Sequence, residues 1–266
     1  MYNFMSKNQF VINLQLVLLS FVLVFFLSGC NNGDDEGEPT EEEEFSNPCN
    51  LPECYVETTT TASSLSPTAI VVTNSYTVIN GRKRLTSTSQ QASIGNVVTT
   101  IEYNAEGKSI GTKTKVNGTQ TNSSVTEYSN NNRTVTTTSY DASNASTGYA
   151  VSQLDENMRV VRVDAYSPEG ELQLYTVRSN FVGSEGDFPQ LVQNFNASDD
   201  TIIQANAHTY KDCQIIKTII TDDSGTVIGE TNNTIDERGL LRTSVSTLIS
   251  FGLSIDSTTE YAYDCD

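Results

Sequence analysis

The only histidine in the 266 residues is His208, in the run Asn206-Ala207-His208-Thr209-Tyr210. A serine or cysteine hydrolase needs such a base beside its nucleophile, yet no Gly-x-Ser-x-Gly elbow accompanies it. A strand or turn histidine without a catalytic role is therefore expected. Adjacent carboxylates at Asp199-Asp200 and Asp222-Asp223 are the residue type that hydrolyses glycosides, where two acids act across a cleft. Both pairs stand in turn-like contexts, which acids favour for local geometry and for water. Asp222-Asp223-Ser224-Gly225 touches the opening of a calcium loop but lacks the distal Glu and the spacing of an EF-hand. Of the five cysteines, Cys30, Cys49, Cys54, Cys213 and Cys265, no two form a C-x-x-C pair, which argues against both a zinc knuckle and thioredoxin-like chemistry. No catalytic residue, cofactor or metal is assigned. There is no Trp to serve as a stacking platform for sugars.

Cys30 has a different chemistry. Behind Lys7 lies an apolar run from Phe10 to Leu27, closed by Leu27-Ser28-Gly29-Cys30. Small residues before the processing point suit a peptidase that needs an extended backbone, and the next thiol can accept a diacylglycerol. These four residues resemble the lipobox of bacterial lipoproteins. The resemblance implies that residues 1–29 are a removed signal peptide and that Cys30 is lipidated, with palmitate-like acyl chains as the membrane anchor. An uncleaved span is the other reading of about 18 apolar residues, and the cysteine after Ser28-Gly29 favours cleavage.

Residues 31–44 carry eight acids and no base or large apolar side chain. Such a run repels itself and cannot bury enough surface to offset its ordering entropy, so it reads as a disordered spacer. Asn31, where an inner-membrane retention signal would place Asp, and the acidic cluster behind it resemble the surface-export signal of Bacteroidota lipoproteins. That implies an outer-membrane, lipid-anchored protein, on the cell surface or otherwise in the periplasmic leaflet.

With Cys30 lipidated, four cysteines remain, and three connectivities are open to them. Tyr210-Lys211-Asp212-Cys213 and Tyr263-Asp264-Cys265 place a thiol in the same slot past an aromatic-rich strand end. The expected bridges are Cys49–Cys54 and Cys213–Cys265. The alternative ties the segment holding Cys49 and Cys54 to Cys213, because a meander keeps its last strand several positions away from that residue.

The elements that must carry these residues are strands. Thirty-four threonines run through the chain, and threonine is β-branched, suited to a half-exposed pleat and indifferent in helices. Val97, Thr99, Ile101 and Tyr103 share one parity, as do Leu241, Thr243, Val245, Thr247 and Ile249, with polar residues between them. Asn80-Gly81 and Asn117-Gly118 are two-residue hairpin signals. A longer turn, Asx or Ser followed three residues later by glycine, recurs at Gly107, Gly170, Gly225 and Gly239. The predicted class is all-β: an antiparallel β-meander over residues 66–266, flat or curved into a half-barrel, behind a lead-in of residues 30–65. The formal charge of −18 makes nucleic acid a poor partner.

Tyr103-Asn104-Ala105-Glu106-Gly107, Tyr166-Ser167-Pro168-Glu169-Gly170, Leu154-Asp155-Glu156-Asn157 and the closing Tyr261-Ala262-Tyr263-Asp264-Cys265 resemble the Tyr-Asp-x-x-Gly units of YD-repeat (RHS-like) β-meanders. That family implies a scaffold and no particular activity. The segment from Gly183 to Asp200, with Phe188-Pro189, breaks the rhythm and reads as a long loop, the first place to look for a binding surface. The expected function is a non-catalytic binding or scaffold role for an unidentified protein or glycan. The alternatives are an envelope enzyme acting on glycans through acids, favoured by a deep acidic cleft, and a lipid carrier, favoured by an apolar concave face.

Overall fold

The computed structural model describes residues 54–92, 94–129, 133–183, 188–211, 213–250 and 253–265. The proposed signal peptide, Cys30, the acidic spacer and Cys49 lie outside the described residues. The described chain is sixteen strands. The first eight are β1 (Cys54–Ser63), β2 (Ser66–Ile79), β3 (Arg82–Ala92), β4 (Gly95–Tyr103), β5 (Ser109–Val116), β6 (Thr119–Tyr128), β7 (Thr134–Asp141) and β8 (Ser146–Leu154). The rest are β9 (Val160–Tyr166), β10 (Leu172–Val182), β11 (Phe188–Asn196), β12 (Ile202–Lys211), β13 (Gln214–Asp222), β14 (Val227–Ile235), β15 (Leu241–Ser250) and β16 (Leu253–Cys265). Residues 54–63, which the sequence places in the lead-in, form β1, and much of the expected loop between Gly183 and Asp200 is strand β11. Pro189 misled the reading. It stands opposite Phe181 near the start of β11, and its carbonyl accepts from the Tyr210 hydroxyl.

Each strand pairs antiparallel with its neighbours in sequence, and β1 pairs with β16, so the meander closes into a barrel. The seam runs from Cys54↔Cys265 to Ser63↔Ser257. The start of β1, the end of β16 and the connections after even-numbered strands share one rim; the connections after odd-numbered strands form the other.

The turns explain the repeat. At Asn104, Asp141, Asp155, Ser167, Asp222 and Asp236 the first residue's N–H donates to the carbonyl four residues on, and the fourth residue's N–H donates back. The side-chain oxygen of the first residue then accepts from the backbone N–H groups two and four residues on, as Asn104 Oδ1 does from Glu106 and Lys108 at 3.0 and 2.9 Å. This geometry puts the fourth residue in the left-handed region: Gly225 has φ 81°, while Asn144 and Met158 fill the same slot at 62° and 60°. The hairpin glycines Gly81 and Gly118 have φ 75° and 83°, and Gly107, Gly170 and Gly239 have 78°, 89° and 81°.

A second repeating device sits at the rim that holds the chain ends. The hydroxyls of Tyr76, Tyr103, Tyr128 and Tyr210 donate to the carbonyls of Val56, Leu85, Ser109 and Pro189, each on the preceding strand. Burial pushes all four phenols above the ordinary tyrosine value.

Cysteine pairing corrects the sequence expectation. Cys54 and Cys265 are bonded to each other, with Cα atoms 4.3 Å apart. Neither Cys49–Cys54 nor Cys213–Cys265 therefore forms. Cys213 is also in a disulfide, at the β12–β13 turn. The physical reason is order around the barrel: β16 neighbours β1 and β15, and β12 is far from it along the wall. The β14–β15 turn buttresses the seam. Asp236 Oδ2 accepts from Arg242 at 2.7 Å and from Arg238 at 3.3 Å, and Arg238 reaches Cys265 Sγ at 3.5 Å. Burial works against the charge of Asp236, but the Leu240 and Arg238 amides and both guanidiniums outweigh it and hold the carboxyl at about 2.

The two faces of the wall differ. Residues of one parity are crowded: Val97, Thr99, Asn206 and His208 are buried, while their strand neighbours Asn96, Thr100, Ala207 and Thr209 are exposed. Closing a sheet crowds side chains on its concave side, which identifies this parity as the inner wall. Directly opposed inner residues hydrogen-bond to each other through their side chains. The pairs are Thr61–Thr259 at 2.9 Å, Thr99–Thr114 at 3.0 Å, Thr112–Ser124 at 2.9 Å, Thr126–Thr137 at 3.2 Å and Thr231–Ser246 at 2.8 Å. The outer wall carries ion pairs in mid-strand, Glu102–Lys113, Lys217–Glu230 and Arg162–Asp164, among single exposed apolar residues such as Val125 and Val245. A barrel that crosses a bilayer needs a continuous apolar outer band. The Glu102, Lys113, Lys217 and Glu230 side chains are 39–47% exposed, whereas Asp164 is buried between Arg162 and Gln153.

Two outcomes follow from this architecture. At Gly225 an added Cβ would meet nothing within 4 Å, so any cost is conformational. Gly225→Val is expected to destabilise by about 1 kcal/mol or more and Gly225→Asn by much less, read as the shift in urea midpoint. Equal losses for both would place the cost in sterics. The Cys54–Cys265 bridge spans a sequence separation of 211, for which the loop-entropy account gives roughly 5 kcal/mol as an upper figure. The double replacement Cys54→Ser, Cys265→Ser should lower the unfolding free energy toward that limit, and an unchanged value would mean that the β1–β16 ladder alone holds the seam.

Candidate functional site

The largest departure from the hydroxyl-lined inner wall lies on β10, β11 and β12. Arg178 of β10 stands opposite Val192 of β11. Val192 stands opposite Asn206 of β12, and Leu191 opposite Ala207, which makes Gln190 and His208 inner-face neighbours. Amide side chains fill the rest of this patch. Thr176 donates to Asn194 Oδ1 at 2.7 Å, and Gln204 donates to Asn206 Oδ1 at 2.8 Å. His208 Nδ1 lies 2.9 Å from Thr218 Oγ1. Tyr210 packs at the rim side, its ring centroid 5.4 Å from Phe188 and 6.3 Å from His208. Beside it, at the rim, lies a half-open hollow of about 350 Å3 bounded by Val182, Gly183, Phe188, Gln190, Thr209, Tyr210 and Cys213; Arg178 and His208 do not line it.

The electrostatics of the patch are one-sided. Burial, with a smaller contribution from Arg178, holds the His208 imidazole below the ordinary histidine value, so it is neutral near pH 7. Burial pushes the Tyr210 phenol up to about 12 in spite of the nearby guanidinium. Burial also lowers Arg178, but an arginine remains charged. Its Nε is buried and has no hydrogen-bond acceptor. A cationic fork, a neutral imidazole and several amides present donors to the interior. Such a set can hold and orient a polar ligand. Among the described residues, no carboxylate pair stands in it.

The other chemically capable residues are separated by the fold. Asp199 and Asp200 close the β11–β12 turn, where Asp199 Oδ1 accepts from Thr201 and Asp200 Oδ1 accepts from the Tyr175 hydroxyl at 3.0 Å. Asp222 closes the β13–β14 turn; the Ser224 hydroxyl and the Thr226 and Ser224 amides hold its carboxyl below the usual range. These acids shape hairpins. Among the described residues no group of three or more His, Cys, Asp or Glu side chains is arranged to hold a metal ion. Cys30 and Cys49 lie outside the description.

Sequence reasoning pointed to the neighbourhood, through the interrupted rhythm after Gly183, and missed Arg178 itself. The signal available was parity. Leu172, Leu174, Thr176 and Arg178 alternate along β10, and the last places a charge on an otherwise apolar or hydroxyl face. Only the closed barrel shows that this face points inward.

His208 supplies a pH test. The unfolded chain takes a proton near the ordinary value of 6.5, whereas the folded chain resists it. Stability should thus be lost as pH falls through 6.5 and level off once the folded imidazole also charges. His208→Gln is expected to flatten that fall between about pH 7.5 and about pH 5.5, measured by urea unfolding. The same slope in both proteins would assign the loss to other groups.

No known protein-family profile matches this sequence, and no curated protein matches it. Among solved structures the similarities are weak. A porin-like protein from Bacteroides uniformis is 11% identical with a TM-score of 0.36, the match covering 79% of this chain and 98% of that one. A protein of unknown function from Bacteroides fragilis is 10% identical with a TM-score of 0.17, over 68% of this chain and 94% of that one. The Tc holotoxin pore from Photorhabdus luminescens is 11% identical with a TM-score of 0.18, over 74% of this chain and 14% of that one. What the chain itself establishes is an all-β, sixteen-stranded antiparallel barrel, a form compatible with an outer-membrane or envelope location.

Proposed function

We propose that this protein is a non-catalytic lipoprotein, lipidated at Cys30 and displayed at the bacterial cell surface, whose barrel is a scaffold with a ligand-binding inner wall. The observation that carries this reading is the inner wall itself. It is lined by paired hydroxyls and by the amide-rich patch around Arg178, groups suited to a hydrophilic ligand. Acyl chains would give the buried Arg178 Nε no acceptor, at a cost of about 1–3 kcal/mol or more for a charged group, which disfavours the lipid-carrier alternative. The mid-strand charges of the outer wall favour a barrel held beside a membrane by a tether over one that spans it. The hairpin unit, an Asx turn closing a tyrosine-ended strand, supports a YD-repeat-like scaffold.

The anchor is tested by labelling cells with a radiolabelled fatty acid. Cys30→Ala is expected to abolish incorporation and to release the protein from the membrane fraction. Unchanged labelling would overturn the anchor. Protease added to intact cells should digest the barrel; protection until the outer membrane is opened would assign the periplasmic leaflet.

A further inference from the structure

Among the described residues, the ion pairs of the fold engage Lys83, Lys108, Lys113, Arg159, Arg162, Lys217, Arg238 and Arg242. None of them reaches Arg178. The chain has thirty-three acids for fifteen bases, so acidic partners are plentiful, and yet this guanidinium stands on the crowded wall with Nε buried and no acceptor. A desolvated cation without a counter-charge is costly unless something compensates it. Its five donors form a planar fork that matches a carboxylate in two parallel hydrogen bonds.

The surroundings define the rest of the ligand. Gln190 is exposed beside the patch. With Asn194 Oδ1, Asn206 Oδ1 and the Thr218 hydroxyl engaged by Thr176, Gln204 and His208, the amide nitrogens of Asn194 and Asn206 remain as donors, which a polyhydroxylated molecule can accept. The half-open hollow at the neighbouring rim reaches Gln190 and Tyr210 of this patch. The rings of Phe188 and Tyr210 supply an apolar edge at its mouth.

We infer that the inner wall at Arg178 binds a carboxylate-bearing saccharide, with the guanidinium taking the carboxylate and Gln190, Asn206 and His208 facing the hydroxyls. The inference deepens the binding role proposed above and rests on it. No bond is made or broken; the site recognises.

A bound carboxylate would cancel the positive potential that Arg178 exerts on His208, so the ligand should raise the imidazole's midpoint. His208 is the sole histidine, which makes it a single resolved reporter. The experiment is NMR titration of the histidine-labelled, full mature lipoprotein in detergent, with sodium glucuronate, D-glucose and sodium sulfate as separate probes. Glucuronate is expected to bind saturably and shift the His208 midpoint upward, with D-glucose and sulfate much weaker. Arg178→Lys, which keeps the charge but loses the fork, should weaken glucuronate roughly tenfold or more, and Arg178→Gln should remove the midpoint shift while cooperative unfolding persists. Equal effects of D-glucose would overturn the carboxylate. Equal effects of sulfate would reduce the site to a general oxyanion cradle and overturn the saccharide. No response to any probe would overturn the site altogether. Fatty-acid labelling at Cys30 is read independently, so failure here and failure of the anchor are distinguishable.

Discussion

Everything in this fold depends on the pairing of β1 with β16. A meander of strands has two open edges, each a row of unpaired N–H and C=O groups that invites association with another chain. Joining the first strand to the last removes both edges at once. The Cys54–Cys265 bridge lies at one end of that ladder, and the Asp236 turn, through Arg238, leans on the same cysteine. Closure also fixes which parity of side chains faces inward, and with it the position of every polar group on the inner wall.

A wall one sheet thick cannot build the apolar centre of a two-layer domain. Among the described residues only Val97, Leu154 and Leu240 count as buried apolar side chains. Threonine supplies the substitute in two ways. Its β-branch stiffens the strand, and its hydroxyl pairs across to the next strand, as in Thr99–Thr114 and Thr126–Thr137. Each such cross-strand pair contributes a few tenths to about 1 kcal/mol. Their number matters more than any one of them. The same economy shapes function, because a wall held by hydroxyl pairs is already polar. Arg178 adds a charge, and His208 a neutral imidazole, to a surface that the scaffold already makes polar.

The turns were legible in the residues because each is written within a few positions, whereas the tyrosine hydroxyl contacts join residues 18 to 21 positions apart and needed the strand pairing. Asn104 and Gly107 specify their hairpin through one side-chain oxygen and one left-handed backbone, and the alternation of Val97, Thr99 and Ile101 specifies a strand with one crowded face. Met158 in the glycine slot shows that the Asp155 carboxylate, accepting two amides, can enforce the turn without glycine's help. Pro189 was misleading for the opposite reason: a proline normally demotes a strand, but the Tyr210 hydroxyl bonds to its carbonyl and Phe188 packs on the same ring.

By itself, then, the sequence determined an all-β meander, its strand rhythm and its turn chemistry, all of them local properties of backbone conformation and residue spacing. The tertiary structure alone decided that the meander closes, that Cys54 meets Cys265, and that Arg178 points inward beside His208. Those outcomes depend on twist and stagger accumulated over sixteen strands. No short stretch of residues encodes where such a sum returns the chain, so the partners it brings together are invisible until the sheet has curled round to its own beginning.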